Sequence, residues 1–519
     1  MVPFERIFRL SAFLGLLVFL PAKGETVDFA GDVLPILAGK CFDCHGPDEA
    51  AREAGLRLDT PEGAYADLEG LIAVVPGNPD SSELIYLINS EHSEERMPPP
   101  ESKKELSAEE KNILFQWIKE GGKYDKHWAF EIPKKVHVSK TTHPIDAFVQ
   151  ERLKAERIEP SPVADPANIL RRLFLDLIGL PPSPVEIDTF LSAYKKSPRK
   201  SIEILVNDLM ERPAFGEKWA RHWLDLARYA DTNGFEKDKM RDQWIYREWV
   251  INALNDDMPY DQFLIEQLAG DLLPGAMQDQ IIASGFMRNG MINEEGAIIP
   301  EEFRIKGIFD RVDCFGKATL GLTLQCAQCH SHKYDPISHE EYFGLFSFFN
   351  DTHEAQSWVY SDAQLQEIED IKHKVSELEN QIKNKIPDWQ NRLANWVSEN
   401  QANNSKWKIW DTTLQEWEGG LNHPEELPDH SILIQGHPTV TGVTLIEGKS
   451  SLPMITGMRL EALTHGDLPF RGPGRSYWGT FAISEWEVYR KWLGEEEWTR
   501  VDLQEAWADF NPPVSGLKD

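Results

Sequence analysis

Four of the five cysteines in the chain fall into two copies of the pattern Cys-x-x-Cys-His. The copies are Cys41-Phe-Asp-Cys44-His45 and Cys326-Ala-Gln-Cys329-His330. Two thiols at this spacing form thioether bonds with the vinyl groups of c-type haem, and the adjacent histidine binds the iron as its proximal ligand. The sequence therefore predicts two haem c groups, held covalently by these four cysteines, with His45 and His330 as axial iron ligands.

A distal ligand for the first haem is expected well downstream of His45, on a loop. Met97 is the candidate, because the run Arg96-Met97-Pro-Pro-Pro100 holds a thioether on a segment stiffened by proline. The alternative is that Met97 packs in the core, but its charged and proline neighbours are a poor context for burial. We therefore predict His45 and Met97 as the axial pair of the first haem.

The second motif is open to another interpretation, because cysteine and histidine at short spacing also bind zinc. In that case Cys326, Cys329 and His332 would bind the metal, with Cys314 or His339 as the fourth ligand. Haem is favoured over zinc, since the machinery that processes the first motif would also meet the second.

The distal ligand of the second haem is not visible in the sequence. The candidates are His222, Met287, Met291 and His353, and a five-coordinate iron is the remaining alternative. A six-coordinate iron mostly relays electrons, whereas an open iron can bind a small molecule and do chemistry. The sequence favours electron transfer over substrate conversion and identifies no catalytic residue.

The first 24 residues have the pattern of a signal peptide. Arg6 and Arg9 precede the apolar run Leu10–Leu20, and small residues at Ala22 and Gly24 suit cleavage after Gly24. The alternative is a membrane anchor, but the run is short for the ~30 Å of hydrocarbon in a bilayer. We expect an exported protein, periplasmic or at the cell surface, whose mature form does not span the membrane.

The chain is strongly acidic, with a formal net charge of −31. This charge argues against nucleic acid and anionic lipid surfaces as partners. It also suggests that a redox partner protein, whose identity the sequence does not reveal, docks through a basic patch. Only Cys314 remains outside the two motifs, so a disulfide framework is excluded.

Two helices are expected to frame the first motif. The run Phe29–Gly39 predicts a helix that leads into Cys41. Ser107-Ala-Glu-Glu110 is a capping box for a closing helix, whose apolar residues recur at helical spacing until Gly121-Gly122 ends it. A terminal helix whose aromatic residue packs across the N-terminal helix is typical of a small class I cytochrome c.

Three runs carry a resemblance to a known family, namely Asp165–Pro182, Trp219–Asp231 and Leu320–Pro336. They resemble the planctomycete-type cytochrome c proteins, in which a small cytochrome domain precedes a helical domain of unknown function with a second Cys-x-x-Cys-His, followed by a discoidin-like β segment. The resemblance covers most of residues 27–355 and again about 450–515. The resemblance implies the order of the domains more strongly than it implies the reaction that the protein performs. The C-terminal domain usual in this family is missing before Asp519, so we expect a short or truncated member.

The predicted fold is multidomain and mainly α, with a C-terminal β-sandwich that is either whole or left incomplete by a truncated chain. Alternating runs rich in β-branched residues predict its strands at 431–434, 439–446, 455–463 and 480–489. We expect a signal peptide at 1–24, a class I-like cytochrome c domain at 25–124, a helical domain at 142–355, a coiled coil or helical hairpin at 360–400, and a β-sandwich-like segment at 405–519.

The predicted function is an exported dihaem cytochrome that carries electrons, with a link to polysaccharide metabolism implied by the family. The discoidin-like resemblance implies sugar binding by a loop with Arg471, Arg475, Tyr477 and Trp478, although a purely structural segment is equally compatible. Two alternatives stay open. One is a carbohydrate-binding surface or scaffold protein with a single haem, and the other is a haem-dependent oxidoreductase with an open iron at the second site.

Overall fold

A computed structural model describes most of the chain after Glu25. The described residues are 26–125, 130–133, 135–136, 138, 142–293, 295, 298–352, 356–404, 407–410, 412–418, 422–436, 443–476 and 478–508. The predicted signal peptide, His353 and Tyr477 lie outside these residues. None of the helices in the described ranges is both long enough and apolar enough to cross a membrane.

The fold is mainly α, as predicted, and strands occur in the described residues only as short antiparallel pairs. The helices are α1 Leu34–Lys40, α2 Phe42–His45, α3 Pro61–Ala64, α4 Glu83–Asn89, α5 Ala108–Lys119, α6 Pro144–Ala155, α7 Pro166–Leu177, α8 Pro184–Tyr194, α9 Pro198–Met210, α10 Pro213–Leu226, α11 Trp244–Asn255, α12 Tyr260–Ala269, α13 Gln278–Ala283, α14 Pro300–Phe315, α15 His339–Phe349, α16 Asp362–Lys385 and α17 Trp389–Asn404.

The chain forms two compact units. The first unit comprises Met1–Arg172, Pro184–Tyr194 and Phe315–Phe348, and the second comprises Leu173–Ser183, Lys195–Cys314 and Phe349–Asp519. Both Cys-x-x-Cys-His motifs therefore belong to the first unit, although most of the predicted helical domain separates them in sequence.

The N-terminal part of the first unit is built around one hydrophobic core. A π-helical turn at Phe29–Val33 continues into α1, and these elements bury Val33 and Leu37 completely. Helix α5 contributes Leu114 and Ile118, which are also fully buried. Burying aliphatic side chains of this size contributes ~1.5–3 kcal/mol each relative to leaving them exposed, so the first and last helices hold this segment together.

The closing helix has the predicted ends and packing. Ser107 Oγ accepts a hydrogen bond from the backbone N–H of Glu110, and the Glu110 carboxylate accepts one from the Ser107 N–H, at 3.1 and 2.7 Å. After α5, Gly121 and Gly122 adopt φ angles of +115° and +60°, which favour glycine. The Trp117 ring lies 5.7 Å from the ring of Phe29, centroid to centroid. The capping box and the aromatic packing across the N-terminal helix are confirmed.

Buried polar side chains join three helices of the second unit. The indole N–H of Trp223 on α10 donates to Gln267 Oε1 on α12 at 2.7 Å, and the Tyr246 hydroxyl of α11 donates to the same oxygen at 2.7 Å. Gln267 and Tyr246 are almost completely buried. Because a buried polar group left without a partner costs about 1–3 kcal/mol, this shared acceptor constrains how the three helices meet.

Helices α16 and α17 follow the predicted pattern, with Pro387 between them. Their apolar residues, including Leu378, Ile382 and Trp396, are about half exposed. The packing of these helices as a coiled coil or hairpin stays a prediction.

The C-terminal segment forms three two-stranded antiparallel pairs within its described residues. Strand β3 Thr412–Glu418 pairs with β6 Val443–Gly448, β4 Asn422–Glu426 pairs with β5 Ile432–Gly436, and β7 Tyr489–Arg490 pairs with β8 Thr499–Arg500. A fourth pair, β1 Asp67–Leu68 with β2 Leu71–Ile72, lies in the first unit. The strand expected at 439–446 is present as β6 over its described residues. Of the strand expected at 480–489, only Tyr489 lies in a strand, β7. The strand expected at 455–463 is wrong, since these residues are irregular and pair with none of the described strands. Alternating apolar residues do not form a strand without a neighbouring strand to accept their hydrogen bonds.

Candidate functional site

The first motif is one helical turn at the junction of α1 and α2. The backbone N–H groups of Cys44 and His45 both donate to the Cys41 carbonyl, at 3.1 and 2.8 Å. This turn places Cys41, Cys44 and His45 on one face, since residues three and four apart are neighbours on a helix. A Cβ at Gly46 would lie 2.3 Å from the Phe42 carbonyl oxygen, so glycine is required directly after the motif.

The surroundings of Cys41 suit an uncharged sulfur. Cys41 packs against the hydrophobic core, and burial raises the pKa of its thiol to about 12, even though the positive charge of Lys104 acts in the opposite direction. A thiolate ligand would therefore be costly at this position, whereas a thioether carries no charge. Cys44 is exposed, so the second thiol of the motif lies at the surface.

His45 is half-buried and is suited to bind a metal as a neutral ring. Its Nδ1 atom is buried without a hydrogen-bond partner in the protein. Burial lowers the pKa of the imidazole, an effect partly offset by the backbone of Glu53. A buried nitrogen without a partner is unfavourable, and a neutral imidazole is the form that coordinates metal. The residues of the first motif thus fit a haem.

Met97 lies on the loop between α4 and the 3₁₀ turn Pro100–Ser102. Its backbone N–H donates to the Leu87 carbonyl at 3.1 Å, and its side chain is half-buried. Just after the 3₁₀ turn, Lys104 forms an ion pair with Asp43, which lies between the two cysteines of the first motif. The structure therefore ties the connection from α4 to α5 to the motif, while Met97 as the axial ligand stays a prediction.

The second motif presents its chemical groups at the surface. It begins inside a 3₁₀ helix, Leu324–Gln328, which buries Leu324 and Ala327 and leaves Cys326, Cys329 and His330 exposed. His330 Nδ1 donates to the Ser331 carbonyl at 2.8 Å. Because the acceptor is a carbonyl oxygen, Nδ1 must carry the proton, and the lone pair of Nε2 is left to bind a metal.

An apolar wall adjoins this motif within the first unit. A cavity of about 200 Å³ is lined mainly by Leu320, Leu322, Leu324, Pro336, Ile337 and Leu345. Leu324 belongs both to the cavity and to the 3₁₀ helix of the motif. None of Cys326, Cys329 and His330 lines the cavity itself. The groups of the motif that fit a haem c are the exposed thiols of the two cysteines and the Nε2 lone pair of His330.

Zinc fits the second motif less well than haem. His332 is buried and its Nδ1 accepts a hydrogen bond from the Asp335 N–H at 2.9 Å, which places the ring proton on Nε2 and leaves no lone pair for a metal. The Nε2 of His339 donates to the Gln328 carbonyl at 3.2 Å, and the Cys314 thiol donates to the Leu226 carbonyl at 3.3 Å. Among the described residues, no three His, Cys, Asp or Glu side chains cluster as a metal site requires.

One carboxylate joins the two motifs. Asp43 forms an ion pair with Lys104 through Oδ2 and with Lys333, three residues after His330, through Oδ1 at 2.7 Å. Hydrogen bonds to the two ammonium groups hold the pKa of Asp43 below its usual range. The sequence did not predict a role for Asp43 or Lys333. The only signal was their position, since Asp43 lies inside the first motif and Lys333 lies three residues after the second.

Two family profiles match the chain, and each includes one of the two motifs. The profile described as "Planctomycete cytochrome C" matches residues 41–101, which start at the first motif and include Met97. The profile described as "Protein of unknown function (DUF1549)" matches residues 144–354, which include the second motif. The two profiles and their order match the planctomycete-type cytochrome c family. The match to residues 41–101 indicates a c-type cytochrome, for which haem c is the cofactor.

The family resemblance and its domain order are thus confirmed. No curated protein and no solved structure matches the chain significantly. The distal ligand of the second haem is still open. His222, Met287 and Met291 belong to the second unit, and His353 lies outside the described residues.

Proposed function

We propose that this chain is an exported dihaem cytochrome c that carries electrons to or from a redox partner protein. The observation that carries the proposal is the presence of both Cys-x-x-Cys-His motifs in one compact unit, joined through Asp43. Export is supported by the sequence of the first 24 residues. The acidity of the chain supports a partner with a basic docking surface.

Each motif has distinct tasks in this proposal. Cys41 and Cys44 hold the first haem, and His45 and Met97 bind its iron from opposite sides. Cys326 and Cys329 hold the second haem, with His330 as proximal ligand. Haem iron supplies reversible one-electron transfer, and the protein sets its potential through the axial ligands, nearby hydrogen bonds and burial. The half-buried first motif and the exposed second motif therefore favour two haems of different potential.

The number of haems per chain tests this function directly. The full chain is expressed in a host with haem-maturation machinery and its haem content is measured as the pyridine haemochrome. Wild type should carry two haems, and the Cys41→Ser/Cys44→Ser and Cys326→Ser/Cys329→Ser variants one each. Cys314→Ser is the matched control and should retain both. A single haem in wild type would contradict the dihaem proposal, and no haem would overturn the cytochrome function itself.

A second candidate function is carbohydrate binding by an aromatic group in the second unit. The ring of Trp358 lies parallel to those of Phe470 and Trp478, with centroids 4.1 and 5.2 Å away. Phe470 and Arg471 both have φ angles of +53°, a left-handed conformation that residues other than glycine adopt rarely. Strained positions of this kind often occur at ligand-binding sites. Trp478 is more than half exposed. Flat aromatic surfaces beside arginine side chains suit the apolar faces and hydroxyl groups of sugars.

Retention of the full chain on polysaccharide affinity gels tests this second function. Trp478→Ala should reduce the retention, while Trp492→Ala, at another exposed tryptophan, should leave it unchanged. If wild type is not retained by any polysaccharide, the aromatic group is structural.

A further inference from the structure

Three functional segments of the first unit meet at a single side chain. Asp43 lies inside the first attachment motif, and Lys333 follows the second motif by three residues. Lys104 lies in the connection from α4 to α5, seven residues after Met97. The two oxygens of the Asp43 carboxylate take different partners, so the contacts to Lys104 and Lys333 exist at the same time.

We propose that Asp43 is a positioning residue that holds the two haem-bearing segments side by side, so that electrons pass directly from one haem to the other. The inference rests on the proposed dihaem function. Lys333 is three residues from His330 and Asp43 is two residues from both Cys41 and His45. Since consecutive Cα atoms are about 3.8 Å apart, His330 lies at most ~11 Å along the backbone from Lys333. The two attachment motifs therefore lie close together, and haems held by them would be neighbours.

The exposure of these side chains indicates a role in positioning and charge. The side chain of Asp43 is 50% exposed, and those of Lys104 and Lys333 are 25% and 33% exposed. Exposed ion pairs contribute little to global stability. Removing Asp43 should therefore leave the fold intact while it changes the electrostatic field at both irons, because a negative charge nearby favours ferric over ferrous iron.

The contact itself can be tested without reference to haem. Carbodiimide joins a carboxylate to a lysine amine that touches it, so the full-length protein should yield a cross-linked peptide pair containing Asp43 and Lys333, identified by mass spectrometry. Asp43→Asn and Lys333→Gln should each abolish this product. The ion pair of Glu302 with Lys306, within α14, is the control for the reaction and should cross-link in every variant. Failure to find the Asp43–Lys333 product while the control reacts would overturn the proposal.

The effect on the haems is tested by potentiometric titration of the holoprotein. Asp43→Asn should raise the midpoint potential of both haems, and Lys333→Gln should lower that of both. Each change should be at least twofold in the ferrous-to-ferric ratio at a fixed potential, or ~18 mV for a one-electron couple. Asp43→Glu, which keeps the charge, should restore wild-type potentials. If Asp43 and Lys333 had a purely structural role, the two substitutions would not shift the midpoint potentials in opposite directions.

The outcomes separate this inference from the function on which it rests. If haemochrome analysis finds two haems but Asp43→Asn shifts the potential of only one, the pairing is refuted and the dihaem function stands. If it finds one haem, the dihaem function fails, and the pairing of haems fails with it even where the cross-link forms. Two haems, opposite shifts and the cross-link together establish the pairing.

Discussion

Replacing Trp117 with alanine removes the side chain that joins the last helix of the N-terminal core to the first. Trp117 is 3% exposed, and its indole N–H donates to the Lys123 carbonyl at 2.9 Å. Its ring packs against Phe29 and, edge-on at 5.3 Å, against Tyr124. Truncation of a buried tryptophan costs about 3–5 kcal/mol, and each aromatic pair contributes about 0.5–1.5 kcal/mol of such a loss. We expect ~4 kcal/mol, a large part of the 5–15 kcal/mol typical of a domain.

Denaturant unfolding of the full chain, followed by the signal of the first haem, measures this loss. Trp396→Ala is the matched control, because Trp396 is 60% exposed on α17 and its truncation should change the free energy of unfolding by less than about 0.5 kcal/mol. Trp117→Phe keeps an aromatic ring and should recover most of the loss. If Trp117→Ala costs less than about 1 kcal/mol, the closing helix does not hold the core as the structure indicates.

Three further predictions concern the haem sites. Met97→Ala should abolish the long-wavelength absorption band that reports iron–thioether ligation, and it should lower the midpoint potential of the first haem. The haem should stay covalently attached, and an unchanged spectrum would refute Met97 as the ligand. In protein made without haem, burial raises the pKa of the Cys41 thiol to about 12 and so keeps this thiol protonated at neutral pH. Iodoacetamide should therefore label the exposed Cys326 at least tenfold faster than Cys41, as measured by mass spectrometry. Carbon monoxide should leave the spectrum of the reduced second haem unchanged if its iron is six-coordinate; a shifted spectrum would instead favour the oxidoreductase alternative.

Helix faces show how far periodicity predicts packing. The sequence has Ile169, Leu173 and Leu177 at helical spacing, and α7 indeed spans Pro166–Leu177. The most buried residues of this segment, however, are Leu170, Phe174 and Ile178, one position further along the chain. Both rows are apolar, so the pattern predicts the helix but cannot choose between adjacent rows; the neighbouring elements make that choice.

The C-terminal segment shows that a local pattern also predicts strands only in part. The expected strand near 431–434 is present as β5, because β4 lies beside it and exchanges hydrogen bonds with it. Residues 455–463 have a comparable alternation and form no strand. A strand depends on its partner, and the partner is chosen by long-range contacts that a local pattern does not contain.

The sequence by itself determined the chemistry of the two attachment motifs and the local structure around them. A Cys-x-x-Cys-His turn and a Ser107–Glu110 capping box depend on residues within four positions of one another, so spacing suffices to predict them. Only the tertiary structure decided that both motifs share one unit and that Asp43 contacts Lys333. It also placed the ring proton of His332 on Nε2, which weakens the case for zinc. These features depend on contacts and local folds that motif spacing does not encode, because packing and hydrogen bonding choose them when the chain folds.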